Sequence, residues 1–412
     1  MSHAAEYPID AIRPRFPALK RKYKGRQVTF FDGPGGAQAL REVIDAMVGY
    51  MESGSANIHC HFPTSDETMQ KLAEGREAIA ALFNARADEV SYGANATTLM
   101  YQVSRALARE WKTGDEIILT EMEHHSNIDS WRMAAEDKGV TVKYIPVDAK
   151  TLTLDLSVLP GLLSNKTRLV AVGSASNVIG TVNDVKKVSR QAHAAGALVA
   201  VDSVHAIPHF FVDREDLNID MLFASSYKFF GPHMGMSVIR KELLEKLTVY
   251  KVAPASNDAP EKVETGTQCL EAVAALPATV NFIAGFGSGA TLTDKVRSGY
   301  AVIEEYETML GDMLRDGLAE IPGVSLYQAG PSVPKTPTIA FHVDGMKQAD
   351  FCRRMSEEHN IFVSDGNFYG MTLVNKIVRQ EEKSLVRAGI APYNTKAEVQ
   401  ALLDATKAIL KK

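Results

Sequence analysis

The chain has 412 residues, 45% of them hydrophobic and 23% charged, which is the composition of an ordinary globular protein long enough for two or three domains and a sizeable core. Its formal charge of -5, from 45 basic and 50 acidic residues, gives no reason to expect nucleic acid or an anionic membrane surface as partner, so a small molecule is the expected ligand. The three cysteines, Cys60, Cys269 and Cys352, lie far apart with no C-x-x-C pair, which argues against a disulfide framework or a structural zinc site. With no apolar core of signal-peptide type at the start, and no run of about 18 uncharged apolar residues anywhere, a reducing cytoplasm is the expected compartment.

In chain order, short apolar and β-branched runs alternate with amphipathic helical stretches. "DEIILT" (Asp115 to Thr120), "VTVKYIPVD" (Val140 to Asp148), "RLVAVGSAS" (Arg168 to Ser176), "ALVAVDS" (Ala197 to Ser203), "DMLFASS" (Asp220 to Ser226) and "GMSVIRK" (Gly235 to Lys241) predict buried strands. Between them, "VKKVSRQAHAAG" (Val185 to Gly196) predicts a helix closed by a C-terminal glycine. This is the pattern of an α/β protein with a large, mostly parallel sheet covered by helices on both faces, where ligands bind beyond the carboxyl ends of the strands. After about Gly289 a long helix pattern, Asp294 to Ile321, leads into further strand and helix alternation. The expected division is an N-terminal segment 1–30, a large domain 31–289 and a small α+β C-terminal domain 290–412, joined near "AGFGSGATLTD".

Three polar residues stand at the predicted strand ends: Asn177 after "RLVAVGSAS", Asp202 closing "ALVAVD", and Lys228 after "MLFASS", with Ser225 and Ser226 beside it. Taken singly, each is a common residue where a strand turns into a loop. Together they fit pyridoxal 5'-phosphate. That cofactor needs a lysine to bind its aldehyde, a carboxylate to keep its ring nitrogen protonated, a polar partner for its phenolic oxygen, and hydroxyls and backbone N–H groups for its phosphate. The apolar company of Lys228 in "FASSYKFFGPHMG" disfavours its charged form, and a neutral amine is a nucleophile. A nucleotide-binding protein would carry a glycine-rich phosphate loop, whereas the only candidate, "GPGG" (Gly33 to Gly36), has neither known spacing.

At these motifs the sequence resembles the class V aminotransferase group of fold-type I pyridoxal-phosphate enzymes, nearest to cysteine desulfurases and selenocysteine lyases, with kynureninase and isopenicillin N epimerase more distant. "VDSVHAIPH" resembles the family's aspartate motif, "SSYKFFGPHMG" its lysine motif and "EMEHHSNIDSW" its histidine motif, and the likeness runs from "FFDGPGGAQ" to "RAGIAPYNT". The resemblance implies that Lys228 forms the Schiff base, Asp202 faces the ring nitrogen, His124 stacks on the ring and exchanges protons, and Asn177 lies near the phenolic oxygen. His205 stands where desulfurases usually have glutamine. For the phosphate it implies Ala94 and Asn95, in place of a threonine pair, then Ser225 and Tyr227, and Thr267 reaching in from the neighbouring subunit of a homodimer. Arg387 matches the clamp on the substrate carboxylate, and "FFDGPGG", with Gly35, and "SANIHCHF", with His59, would lie on the substrate side.

One departure bears on chemistry. Desulfurases carry a loop cysteine in a segment resembling "G-I-x-V-R-x-G-x-x-C". Here the matching stretch is "NIFVSDGNFYGMTLV", which puts Tyr369 at the cysteine and Ser364 at the arginine. A phenol cannot form a persulfide, so the expected activity on a small L-amino acid is a β-elimination, with transamination, epimerisation and a non-enzymatic scaffold in sulfur transfer as the alternatives. Of the cysteines only Cys60 could approach the substrate.

Overall fold

The computed structural model describes residues 7–411. Seven strands form the large sheet: β1 (Val90–Gly93), β2 (Glu116–Thr120), β3 (Thr141–Ile145), β4 (Thr167–Gly173), β5 (Leu198–Asp202), β6 (Met221–Ser225) and β7 (Gly235–Ile239). They lie in the order β1-β7-β6-β5-β4-β2-β3. The strands β6, β5, β4, β2 and β3 run parallel, while β7 runs antiparallel to both β6 and β1. The continuous Val, Ile, Leu and Ala runs of β4, β5 and β6 follow from helices covering both faces of a parallel sheet, so that both side-chain sets are buried. Every such Val, Leu or Ile removed from water contributes about 1.5–3 kcal/mol.

The covering helices include α1 (Arg41–Ser53), α2 (Pro63–Phe83), α3 (Ala96–Leu107), α4 (Ser126–Glu136), α5 (Val185–Ala194) and α6 (Leu270–Ala284). Helix α5 begins where the Asp184 carboxylate accepts from Lys187 N–H at 2.9 Å and ends at Gly196, whose φ of +78° only glycine adopts at no steric cost.

The long helix α7 (Leu292–Ala319) opens with a reciprocal cap between Thr291 and Asp294 and leads to a second sheet. Its strands β8 (Val324–Tyr327), β9 (Thr338–Val343), β10 (Ser364–Gly366) and β11 (Leu385–Gly389) are antiparallel in the order β8-β9-β11-β10. Helices α8 (Gln348–His359), α9 (Met371–Ile377) and α10 (Lys396–Leu410) accompany it. Both α7 and α10 bury apolar faces in its core. The N-terminal residues join this half of the molecule: Thr29–Phe30 pairs in parallel with Ile361–Phe362, and Asp32 bridges to Gly389.

Among the described residues no helix is long and apolar enough to cross a membrane.

Candidate active site

Parallel pairing brings three strand ends to one edge. Asp202, the last residue of β5, stands in register with Gly173 ending β4 and with Phe223 in β6. The chain beyond β4 carries Asn177 and the chain beyond β6 carries Lys228, so the three side chains sequence reading singled out line one cleft with His124, His205, Asn95, Ser225 and Tyr227.

The Lys228 ammonium donates to the carbonyls of Pro34 at 2.5 Å and Gly35 at 3.1 Å and lies 4.9 Å from the Tyr227 ring centre. Burial, helped by the positive Arg387, pulls its pKa down to about 7, against the opposing pull of Asp202 and Asp32. Close to neutrality, therefore, a large fraction of Lys228 is free amine. Asp202 is 8% exposed and accepts from Val204 N–H at 2.9 Å; burial raises its pKa to about 6, a state that a cation placed against it would reverse.

His124 sits just before α4. Its Nδ1 accepts from the backbone N–H of Ser126 at 3.1 Å and lies 2.7 Å from the Ser126 hydroxyl. Because a backbone N–H can only donate, the neutral ring carries its proton on Nε2. Burial, then the charge of Lys228, brings its pKa down to about 4, so His124 is neutral at pH 7. His205, also buried, binds Thr336 Oγ1 through Nε2 at 3.1 Å and is likewise held well below the ordinary histidine range by desolvation.

At the other end of the cleft, Ser225 Oγ accepts from Ala96 N–H at 3.1 Å, beside the N-terminus of α3. Asn95 caps that helix, its Oδ1 accepting from Thr98 N–H at 2.8 Å and Oγ1 at 3.0 Å, which leaves its amide N–H₂ free to donate. Gly235 makes this possible, since a Cβ there would lie 2.2 Å from the Asn95 carbonyl carbon. A helix N-terminus with a serine hydroxyl beside it favours an anion, and Tyr227 lines the same cleft. Ala94 lines a neighbouring groove with His233, Thr267 and Cys269, His233 stacking on Tyr227 of the cleft; Thr267 is exposed and outside the cleft of its own chain.

Arg387 of β11 is 5% exposed; its Nη1 donates to Asn177 O at 2.7 Å, its guanidinium lies 4.0 Å over the Phe368 ring, and its Nε has no partner. Burial draws even this guanidinium down to about 9, with Asp32 opposing. Gly35 borders it: a Cβ at that position would come within 3.9 Å of Arg387 Nη2. Ser364 pairs in register with Arg387. Tyr369 stacks on His124 with ring centres 5.3 Å apart and 26° between planes. His59, exposed and at φ +63°, and Cys60, whose N–H donates to Ser65 Oγ at 3.0 Å, stand outside the cleft of this chain.

Sequence reading missed three contributors. Glu123 is fully enclosed and accepts from Thr120 Oγ1 at 2.5 Å, Asn127 Nδ2 at 2.8 Å and Gly173 N–H at 2.9 Å, with burial lifting its pKa to about 7. Asp32 is a carboxylate that interacts with both Lys228 and Arg387, and its own pKa is raised by burial. Phe368 backs the arginine. Glu123 and Asp32 lay inside quoted motifs, but only the fold reveals what each faces.

The residues fit pyridoxal phosphate on a structural criterion. Buried polar atoms normally have partners, yet Asn177 Oδ1, Arg387 Nε and Asp32 Oδ1 have none, and the first two flank the cleft that holds a half-neutral lysine and a buried aspartate.

Residues 29–402 match the family model described as Aminotransferase class-V. Among curated proteins, a cysteine desulfurase of Serratia proteamaculans (strain 568) is 32% identical over 410 residues, covering 98% of this chain and 99% of that one. A cysteine desulfurase of Enterobacter sp. (strain 638) is 30% identical over 422 residues, covering 98% of each. Among solved structures, the cysteine desulfurase CsdA (S-sulfonic acid) from Escherichia coli superimposes with a TM-score of 0.84 at 27% identity over 98% of both chains. An apo cysteine desulfurase from Thermococcus onnurineus NA1 gives 0.84 at 25% identity, covering 93% of this chain and 95% of that one.

Proposed function

The chain belongs to the class-V aminotransferase family of pyridoxal-phosphate enzymes, and from that premise we propose that it is a lyase that expels the β-substituent of a small L-amino acid, above all a thiol from a cysteine S-conjugate. The observation that carries this reading is the pairing of a complete lysine, aspartate and arginine constellation with a substrate rim that presents Tyr369 and no thiol. In the same reading Lys228 binds the cofactor, Asp202 faces its ring nitrogen, His124 stacks on it, and Asn177 and His205 approach its phenolic oxygen. Ala94, Asn95, Ser225 and Tyr227 take the phosphate with Thr267 of a second copy, and the active unit is a cytoplasmic homodimer. The large domain spans 31–289 and the small one 290–412. Gly35 and Tyr369 border the substrate, whereas His59, expected there from the sequence, stands outside the cleft of its own chain.

Pyridoxal phosphate, when bound, supplies an electron sink that makes the substrate's α-proton acidic. The rest is done by the chain. Arg387 offers its open guanidinium edge to the substrate carboxylate, and a planar fork of donors fixes that end in orientation. Lys228, neutral in large part near pH 7, accepts the α-proton. As the Cβ–S bond breaks, the electron pair leaves with sulfur, and the proton held on the Lys228 Nζ atom is at hand to complete the thiol. His124, neutral with its proton on Nε2, donates a hydrogen bond rather than a proton. The eliminated fragment, released as 2-aminoacrylate, tautomerises and takes up water, so that each conjugate and one water give one thiol, one pyruvate and one ammonium.

Incubating the holoenzyme with L-cysteine S-conjugates and measuring thiol, pyruvate and ammonium tests this directly. Equal amounts of the three are expected. Accumulation of pyridoxamine phosphate with a keto acid, inversion of the substrate's α-carbon, or alanine with a protein-bound persulfide would each replace the reading by another.

A further inference from the structure

The strap between β10 and α9, residues 367–370, holds two successive non-glycine residues in the left-handed region, Phe368 at φ +54° and Tyr369 at φ +58°. Such residues are uncommon because Cβ crowds the backbone there, and they persist only where the surroundings fix them. Here both carbonyls are held: Phe368 O accepts from Asn177 Nδ2 at 2.7 Å and Tyr369 O from His125 N–H at 2.7 Å, while Tyr369 N–H donates to Asn367 Oδ1 at 3.1 Å. The next residue, Gly370, packs so tightly that a Cβ would stand 2.5 Å from Val178 Cγ2. The strap is seated against two segments of the cleft wall rather than left loose.

That seating sends the two aromatic rings to different places. Phe368 goes under the Arg387 guanidinium, 4.0 Å from it. Tyr369 goes outward over His124, one face partly covered by the imidazole, and stays 72% exposed. Next to it Met371 is 47% exposed. A substrate whose carboxylate is on Arg387 lies in the same cleft as His124, so a substituent that leaves the cleft past His124 meets the Tyr369 ring. Ring faces attract other flat rings beyond the simple burial of area, whereas a saturated ring of the same size gains only the burial.

We propose that Tyr369 sets the substrate class: its open ring face stacks on a planar aromatic group carried by the sulfur, so that the enzyme prefers cysteine S-conjugates of aromatic thiols over those of saturated ones. This deepens the elimination reading and rests on it.

The test compares S-phenyl-L-cysteine with S-cyclohexyl-L-cysteine on the wild type, Tyr369→Phe and Tyr369→Leu. Calorimetry on the borohydride-reduced holoenzyme gives dissociation constants without turnover, and pyruvate release from the untreated holoenzyme gives kcat/KM. In dissociation constant the wild type and Tyr369→Phe should favour the phenyl conjugate about tenfold, the scale of an aromatic pair, and Tyr369→Leu should bring the two within about twofold; in kcat/KM, where thiophenol is also the better leaving group, the phenyl-to-cyclohexyl ratio should fall about tenfold from wild type to Tyr369→Leu. Equal binding of both conjugates by the wild type, or a binding preference that survives in Tyr369→Leu, overturns the proposal. Pyruvate from both conjugates with equal dissociation constants leaves the elimination reading standing and removes this one; a phenyl preference in binding with no pyruvate from either conjugate removes the elimination reading and leaves only the stacking role of Tyr369.

Discussion

The two ends of the cleft are built differently. At the proposed cofactor end, Asp202, Asn177, Ser225 and Lys228 sit on or just after parallel strands whose register fixes their relative positions to the pitch of the sheet. At the proposed substrate rim, Phe368, Tyr369 and Gly35 sit on loops held by hydrogen bonds and ring contacts from segments remote in the chain, such as Asn177 to Phe368. A sheet edge holds reactive groups in a fixed frame for one cofactor, and loops let the substrate change without disturbing it. Function at the first end should be intolerant of substitution, and at the second end tunable.

The largest effect belongs to the frame. Lys228→Ala should leave no borohydride-stable adduct on the corresponding peptide and lower turnover by at least about a thousandfold, as loss of both the covalent anchor and the proton acceptor requires; an adduct on another lysine would break the comparison at its firmest point. Asp202→Ala should keep the adduct, since it leaves Lys228 in place, while turnover falls about a hundred- to a thousandfold for want of a counter-charge to the ring nitrogen. Absorption spectra and pyruvate kinetics on one preparation separate the two quantities.

A milder effect is written in pH. Only the neutral Lys228 amine can condense with an aldehyde, and burial puts its pKa at about 7. Reconstitution of the cofactor-free protein should therefore be near its maximal rate above pH 8 and slow about tenfold for each pH unit below 7, because the neutral fraction falls by that factor. An ordinary lysine would still be slowing at pH 9. Stopped-flow absorbance across pH 5.5 to 9.5 distinguishes the two profiles.

The smallest effect tests the rim. Cys60 is outside the cleft, its Sγ 3.7 Å from Ile58 O. Cys60→Ser should change turnover of cysteine S-conjugates by less than about twofold, as surface substitutions away from a site generally do. Rapid alanine formation from L-cysteine that disappears in this variant would show that the rim, too, carries fixed chemistry.

Sequence reading reached the first end and stopped at the second for a physical reason. Strand runs such as "ALVAVD" announce themselves by composition, and once they are parallel their ends share an edge, so Asp202 and Lys228 could be paired without coordinates. The same runs do not say that β7 turns antiparallel. Nor can pattern show that Glu123 is buried behind Asp202, or that His205 meets Thr336, 131 residues further on; those neighbours are chosen by packing. Tyr369 was found only by counting along a motif, and its stacking on His124 depends on left-handed backbone that no residue type there demands.

The pairing of Thr29–Phe30 with Ile361–Phe362 has a consequence for how the protein comes into being. Tyr7 donates to Pro392 O at 3.1 Å, Arg13 to Tyr393 O at 2.5 Å, and Arg13 also meets Glu398 at 2.8 Å. Residues 7–30 thus find partners among residues 361–398, which are synthesised much later. A nascent chain that has reached Gly323 already possesses every strand of the large sheet, with Asp202 and Lys228 at its edge. It still lacks Arg387, the strap and the strands that hold residues 29–32. Contacts this distant in sequence close late, after the entropy of a long loop has been overcome. In the proposed reading, the emerging polypeptide has the lysine and aspartate of the cleft before it has the arginine and the strap that complete it.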